Sequence, residues 1–374
     1  MSRKGKKRYR RYMADRCALC GQKDAKLILG STGYGVCPSC LGVAGKIARV
    51  KSLEEALNFF SPPSILTPQD ILAELDKTII GQEEAKAAIS IAFWKQQLKA
   101  SGVPSVPRST LLLYGPTGCG KTAIAREAAR IVGLPFVHFD ATTLSEAGYR
   151  GRDADDMVKD LVEAYEDHKQ LPYGVIFLDE VDKLSARGSD QRVAYAKGTQ
   201  HSLLRLIEGT DIRTAGKVIH TENLLFIFGG AFTGIGPQEK RYVNPIGFGA
   251  KPIEVTPRAI GTEDFITYGM EPELMGRVTQ KVGLSPLTRE DLKRILLKAE
   301  NSVLKQYQRF FFGQGIQLQV SPKRAEELID EAQALGAGAR GLQTAVENMV
   351  QPLLFRLAER RGTQAEEWAI EGSA

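Results

Sequence analysis

Two constellations in this 374-residue chain have residue types and spacings that could do chemistry. The first is Gly115-Pro116-Thr117-Gly118-Cys119-Gly120-Lys121-Thr122, followed by Ala123 and set between the apolar run TLLLY and the helix-forming run AIAREAARIVG. Glycines let the backbone curl until its N–H groups converge on phosphate, the lysine reaches terminal phosphate oxygens, and the hydroxyl meets Mg²⁺. Fifty-eight residues after Lys121, the strand-like run VIFL ends in Asp179-Glu180. Adjacent carboxylates at a buried strand end are costly unless they face a metal. Asp179 is therefore read as the Mg²⁺ carboxylate, and Glu180 as the group that orients the water attacking the γ-phosphate.

The second constellation is Cys17-x-x-Cys20 and Cys37-x-x-Cys40. Each pair presents two thiols from a tight turn, and two such turns supply the four soft ligands of a tetrahedral Zn²⁺. Iron or redox chemistry is the competing reading. Four thiolates leave no open coordination position, so the expected role is structural. The fifth cysteine, Cys119, lies inside the phosphate loop. Redox control is one reading there, and a small residue filling the position is the preferred one.

These residues need elements to hold them. The runs STLLLYG, PFVHFDA, GVIFLDE and NLLFIFGGAF alternate with helical stretches, which predicts a parallel sheet with helices on both faces. From Thr288 onward the apolar spacing is mostly helical and predicts a small α domain. The expected organisation is a basic arm (1–12), a four-cysteine domain (13–60), a proline-bearing tether (61–70), an α/β domain (71–286) and the α domain (287–374). The arm carries seven of the positive charges, and without them 43 Lys+Arg face 44 Asp+Glu. The body is thus nearly neutral, while the arm has the charge to meet nucleic acid or an acidic surface, or is a solvated tail. No membrane-spanning run and no secretory h-region are present, so a cytoplasmic location is expected.

Beyond the phosphate loop, several segments carry a more specific pattern. LDKTIIGQEEAKAAISIAFW, SLLRLIEGT, FIFGGAF, EPELMGRV and GARGL follow the cysteine pairs in order. With them the chain resembles the ClpX family of AAA+ unfoldases from Cys17 to about residue 360. The resemblance implies an ATPase with ATP and Mg²⁺ as well as Zn²⁺. It places Ile79, Ile80, Gly81 and Gln82 near adenine, makes Arg277 the finger that reaches a neighbouring subunit's nucleotide, and sets Arg340 on phosphates of its own chain. An arginine donated in trans needs a neighbour for every subunit, hence a closed head-to-tail ring, the family's homohexamer.

Two loops carry the mechanical expectations. Gly148-Tyr149-Arg150-Gly151 resembles the loop whose aromatic grips a translocating polypeptide, with Arg150 standing where the family has a small aliphatic residue. Arginines in a narrow channel favour acidic substrates or another polyanion. Ile246-Gly247-Phe248 resembles the tripeptide that docks on a ClpP-type peptidase, and exposed apolar residues between glycines are otherwise a solubility liability. The stretch GTDIRTAGKVIHTEN is shorter than the family's basic entrance loop, so tag and adaptor recognition is expected to differ. The leading reading is an ATP-driven unfoldase that threads protein substrates to ClpP; the alternatives are peptidase-independent remodelling and a nucleic-acid motor or loader.

Overall fold

The runs that end in candidate residues become neighbouring strands of one sheet. A computed structural model of the chain describes residues 17, 23, 27–29, 35–41, 65–144, 152–165, 171–186, 190–236, 242–243, 253–254, 259–359 and 366–370. Contacts divide the chain into two units, Met1–Ile65 and Leu66–Ala374. In the first, β1 (Ile28–Leu29) pairs antiparallel with β2 (Gly35–Val36). Val36 packs with Cys17 and Cys37 in a small buried cluster.

The second unit opens with α1 (Pro68–Thr78) and α2 (Glu83–Ala100). The phosphate-loop region follows as β3 (Thr110–Tyr114), α3 (Lys121–Val132), β4 (Phe136–Asp140), α4 (Asp156–Ala164) and β5 (Val175–Asp179). Then come α5 (Asp190–Glu208), the hairpin β6 (Asp211–Thr214) and β7 (Lys217–His220), and β8 (Leu225–Gly230). A short pair, β9 (Tyr242–Val243) and β10 (Ile253–Glu254), precedes α6 (Thr262–Thr267), α7 (Pro272–Arg277) and β11 (Gln280–Gly283). The strand order β11-β3-β8-β5-β4 is parallel throughout.

Alternation along the strands explains why this sheet is covered on both sides. Leu111, Leu113, Val175, Phe177, Leu225 and Ile227 face α2 and α3, while Leu112, Ile176, Leu178, Phe226 and Phe228 join the core on the opposite face. A parallel sheet places all its strand C-termini at one end. Tyr114, Asp179 and Gly230 therefore end side by side. The four sequence-predicted runs are strands of this sheet. The fifth, β11, is short and carries Gln280 and Lys281, so its composition gave no strand signal; it becomes a strand by pairing with β3.

The helical region is α8 (Arg289–Leu297), α9 (Val303–Gly313), α10 (Pro322–Ala334) and α11 (Ala339–Glu359) around a separate core that includes Leu292, Phe311, Leu328 and Val346. It also carries a parallel pair, β12 (Ile316–Val320) with β13 (Glu366–Ile370). The stretch GTDIRTAGKVIHTEN, shorter than the family's basic entrance loop, holds the β6–β7 hairpin, turned through Ala215 and Gly216 at φ 47° and 72°. No helix among the described residues is long and apolar enough to cross a membrane.

The proline-bearing stretch 61–70 is already helical at Pro68. Thr67 caps α1: its hydroxyl accepts the Asp70 N–H at 3.2 Å, and Asp70 Oδ2 accepts the Thr67 N–H at 2.9 Å. Proline suits the first helical turn because no N–H is needed there. Thr67→Ala is expected to lower the stability of the Leu66–Ala374 unit by about 1 kcal/mol, measured by urea unfolding.

Candidate functional site

The phosphate loop leaves β3 at Gly115 and enters α3 at Lys121. Gly118 and Gly120 sit at φ 76° and 106°, in the left-handed region that glycine occupies without strain. Gly120 is the N-cap of α3 and offers no capping side chain, so the first N–H groups of the helix lie open to an anion. The Lys121 ammonium, nearly buried, donates to the carbonyls of Gly115 at 2.8 Å and Pro116 at 3.0 Å. The cation is thus held over the loop by the loop's own backbone.

At the adjacent strand end, Thr122 Oγ1 donates to Asp179 Oδ2 at 3.0 Å, and the Glu180 N–H donates to Asp179 Oδ1 at 2.9 Å. His138 Nε2 lies 3.7 Å from Asp179 Oδ2. Burial would raise the Asp179 pKa, but the nearby His138 imidazole, hydrogen bonds from the Glu180 N–H and Thr122, and the Lys121 charge outweigh it and bring the group down to about 2. A carboxylate and a hydroxyl in contact, both hard oxygen donors, suit Mg²⁺. Glu180 begins the 3₁₀ turn Val181–Leu184 with φ 57°, an uncommon conformation for a residue with a side chain.

Gly120, Lys121, Thr122, Asp179 and Glu180 line one cleft of about 280 Å³ with Thr117, Gly118, Ala123, Asp182, Lys183, Ala231, Ala339 and Arg340. Arg340 comes from the helical region, and a backbone contact brings it there. The Ala339 N–H donates to the Gly118 carbonyl at 3.0 Å. A Cβ on Gly118 would lie 2.0 Å from the Ala337 carbonyl oxygen, and one on Gly338 would lie 2.7 Å from the Gly118 oxygen. Only glycines permit that approach.

Other sequence-selected residues lie beside this cleft or away from it. Ile79 and Ile80 are partly buried and buried, and Gly81 and Gln82 are both left-handed, at φ 69° and 61°. The Gln82 amide donates to Cys119 O at 3.3 Å and Ser285 O at 2.8 Å, and its Oε1 accepts the Ser285 N–H at 3.0 Å. Gln82 therefore braces the phosphate loop against the chain leaving β11. Arg277 does not line the cleft of its own chain; its guanidinium meets Glu208 Oε1 at 2.7 and 3.0 Å on the exposed ends of α7 and α5. Cys119 packs into the core, and burial pushes its thiol pKa up despite the opposing Lys121 charge. It is therefore a protonated thiol at neutral pH, which favours the space-filling reading.

In the first unit, the Sγ atoms of Cys17, Cys37 and Cys40 lie within 4.8 Å of one another. The Cys37 N–H points to Cys17 Sγ at 3.3 Å and the Cys40 N–H to Cys37 Sγ at 3.5 Å. Converging thiols with backbone N–H groups directed at sulfur fit Zn²⁺, which prefers sulfur ligands about 2.3 Å away. Cys20, the loop Gly148–Gly151, Ile246-Gly247-Phe248 and residues 1–11 lie outside the described residues.

Sequence reasoning missed Asp182, Lys183, Ala231, His138 and Gly338. The available signals were the second aspartate in DEVDK, the paired glycines of FIFGGAF and the spaced glycines of GAGAR.

Comparison with known proteins agrees with this geometry. Residues 106–281 match the AAA domain (Cdc48 subfamily), and residues 287–367 match the C-terminal, D2-small domain of ClpB protein. The ATP-dependent Clp protease ATP-binding subunit ClpX of Treponema denticola is 32% identical over 92% of this chain and 91% of its own length. Those of Azotobacter vinelandii and Borrelia duttonii are each 32% identical over 91% of this chain and 86% of theirs. The chain belongs to the ClpX family. It is an AAA+ ATPase, an enzyme class that works with ATP and Mg²⁺.

Two measurements check the site. Because the folded Asp179 pKa lies near 2 and the unfolded one near 3.8, its charged form stabilises the fold fully above about pH 4, and that contribution disappears as pH falls toward 2. The stability difference between the protein and Asp179→Asn should therefore shrink across that interval in acid titrations without nucleotide. Cys17→Ser with Cys37→Ser should release about one bound Zn²⁺ per chain in a chromophoric chelator assay.

Proposed function

We propose that this Clp ATPase assembles as a homohexamer, uses ATP hydrolysis to unfold and thread protein substrates through a central channel, and delivers them to a ClpP-type peptidase. The observation that carries the reading is the single cleft in which the phosphate loop, Asp179, Glu180 and Arg340 meet, in a chain whose relatives are named as ATP-binding subunits of the Clp protease.

Each side chain then has a task set by its position. The open N–H groups at the start of α3 and the Lys121 ammonium hold the β- and γ-phosphates. Thr122 and Asp179 hold Mg²⁺, which neutralises charge on the phosphate oxygens when bound. Glu180 orients the attacking water, and its fixed backbone turn keeps the carboxylate at the mouth of the cleft. Arg340 contacts phosphates from the helical side, so gain or loss of the γ-phosphate acts directly on the Gly118–Gly338 contact. Ile79 to Gln82 hold the adenine end.

Arg277, exposed and paired with Glu208 outside this cleft, serves a neighbour's site, which couples hydrolysis in one subunit to the placement of the next. Tyr149 grips the moving chain, and Arg150 biases the channel toward acidic segments. Ile246 and Phe248 dock on the peptidase. The thiols of Cys17, Cys20, Cys37 and Cys40 hold a structural Zn²⁺ that stabilises a unit with little core of its own. The basic arm contributes a surface for adaptors or nucleic acid.

Glu180→Gln is expected to bind ATP with near-normal affinity and to lose at least about 100-fold in kcat. Normal turnover would remove Glu180 from its role. Phe248→Ala should abolish ClpP binding in the presence of a slowly hydrolysed ATP analogue while leaving ATPase intact. An ATP-bound hexamer that ignores ClpP without the substitution would favour peptidase-independent remodelling. DNA-stimulated ATPase lost on removing residues 1–11 would favour the nucleic-acid reading.

A further inference from the structure

Asp182 is a third carboxylate at the cleft, after Asp179 and Glu180, with no role in the chemistry just described. It is 5% exposed, and its Oδ1 accepts the Ala231 N–H at 3.0 Å. Lys183 Nζ stands 3.9 Å from its other oxygen. A carboxylate buried this deeply is expensive unless its partners are fixed, and a surface turn would be better served by a smaller residue.

Its two neighbours are both held in conformations that side chains rarely adopt. Glu180, two residues before it, has φ 57°, and Phe232, just beyond Ala231, has φ 46°. Such backbone persists where surrounding contacts over-determine it. The Asp182 bond joins these two segments. On one side, the Lys183 N–H closes the 3₁₀ turn onto the Glu180 carbonyl at 2.9 Å. On the other, Phe232 is buried edge-on against Phe265, with ring centroids 5.0 Å apart. The glycines at the end of β8 make room: a Cβ on Gly229 would lie 2.8 Å from Asp179 Oδ1, and one on Gly230 would lie 3.0 Å from Asp182 Oδ1.

We infer that Asp182 is a positioning residue: it pins the exit of β8 to the turn that carries Glu180, and so holds the Glu180 carboxylate toward the phosphate cleft. The inference rests on the reading of Glu180 as the water-orienting group. It assigns Asp182 an effect on the transition state and none on ground-state nucleotide binding, since phosphates are held by the loop and Arg340.

The test uses full-length protein and Mg·ATP, with steady-state kinetics and binding of a fluorescent ADP. Asp182→Ala is expected to lower kcat about tenfold or more, with KM and ADP affinity within about threefold of the starting protein. Asp182→Asn, which keeps an oxygen acceptor for the Ala231 N–H, should recover most of kcat. Parallel losses in kcat and nucleotide affinity would overturn the inference, as would an Asn variant as slow as Ala. If Asp182→Ala does not fold, Asp182→Ser, whose hydroxyl falls short of Ala231, should show the same kcat-specific loss, and normal kcat there would overturn it. Glu180→Gln separates the two failures: a dead Glu180→Gln beside a fully active Asp182→Ala sinks only the role of Asp182, whereas an active Glu180→Gln sinks the reading beneath it.

Discussion

The approach of Gly118 to the Ala337–Ala339 backbone is the contact on which the rest of the nucleotide site depends. Among the described residues, the phosphate loop and Arg340 lie in regions with separate hydrophobic cores. A hydrogen bond of 3.0 Å between Ala339 N–H and Gly118 O joins them at the cleft, with glycine on both sides because a Cβ on either would collide with backbone. The consequence is mechanical. The phosphate loop and the start of α11 meet through backbone, without an intervening flexible side chain.

A second constraint works on the opposite wall of the cleft. The parallel sheet sets the ends of β3, β5 and β8 side by side, and three short devices refine that coarse placement. Thr122 and Asp179 join α3 to β5, the left-handed Glu180 turns the chain sharply at the strand end, and Gly229-Gly230 lets carboxylates lie against β8. Gln82 adds a brace from the α1–α2 corner to Cys119 and Ser285. The fold thus positions side chains to within a few ångströms, and hydrogen bonds to backbone finish the work.

Much of this was legible in the sequence because each signal had a local cause. Apolar runs such as VIFLD read as buried strands, and the glycine spacing of the phosphate loop needs only backbone conformation to be understood. The cysteine pairs likewise announce a ligand set. What escaped was set by partners distant in sequence. β11 is a strand because β3 offers it an edge, not because QKVG favours one. Asp182 matters because Ala231 arrives from 49 residues away, and Gly338 because Gly118 does. Pro68 falls within the expected tether 61–70, but proline also begins helices, and the Thr67–Asp70 capping box starts α1 there.

The most direct test of the account is nucleotide affinity in Gly338→Ala, measured by titration with a fluorescent ADP and with zinc content and thermal melting as controls. A Cβ there must push the Ala337–Ala339 turn off the phosphate loop. The account predicts at least about a tenfold loss of affinity in a protein that keeps its fold, because Arg340 and the loop no longer face one cleft. Unchanged affinity in a folded Gly338→Ala protein would contradict it, showing that the phosphate loop binds nucleotide without the helical region in contact.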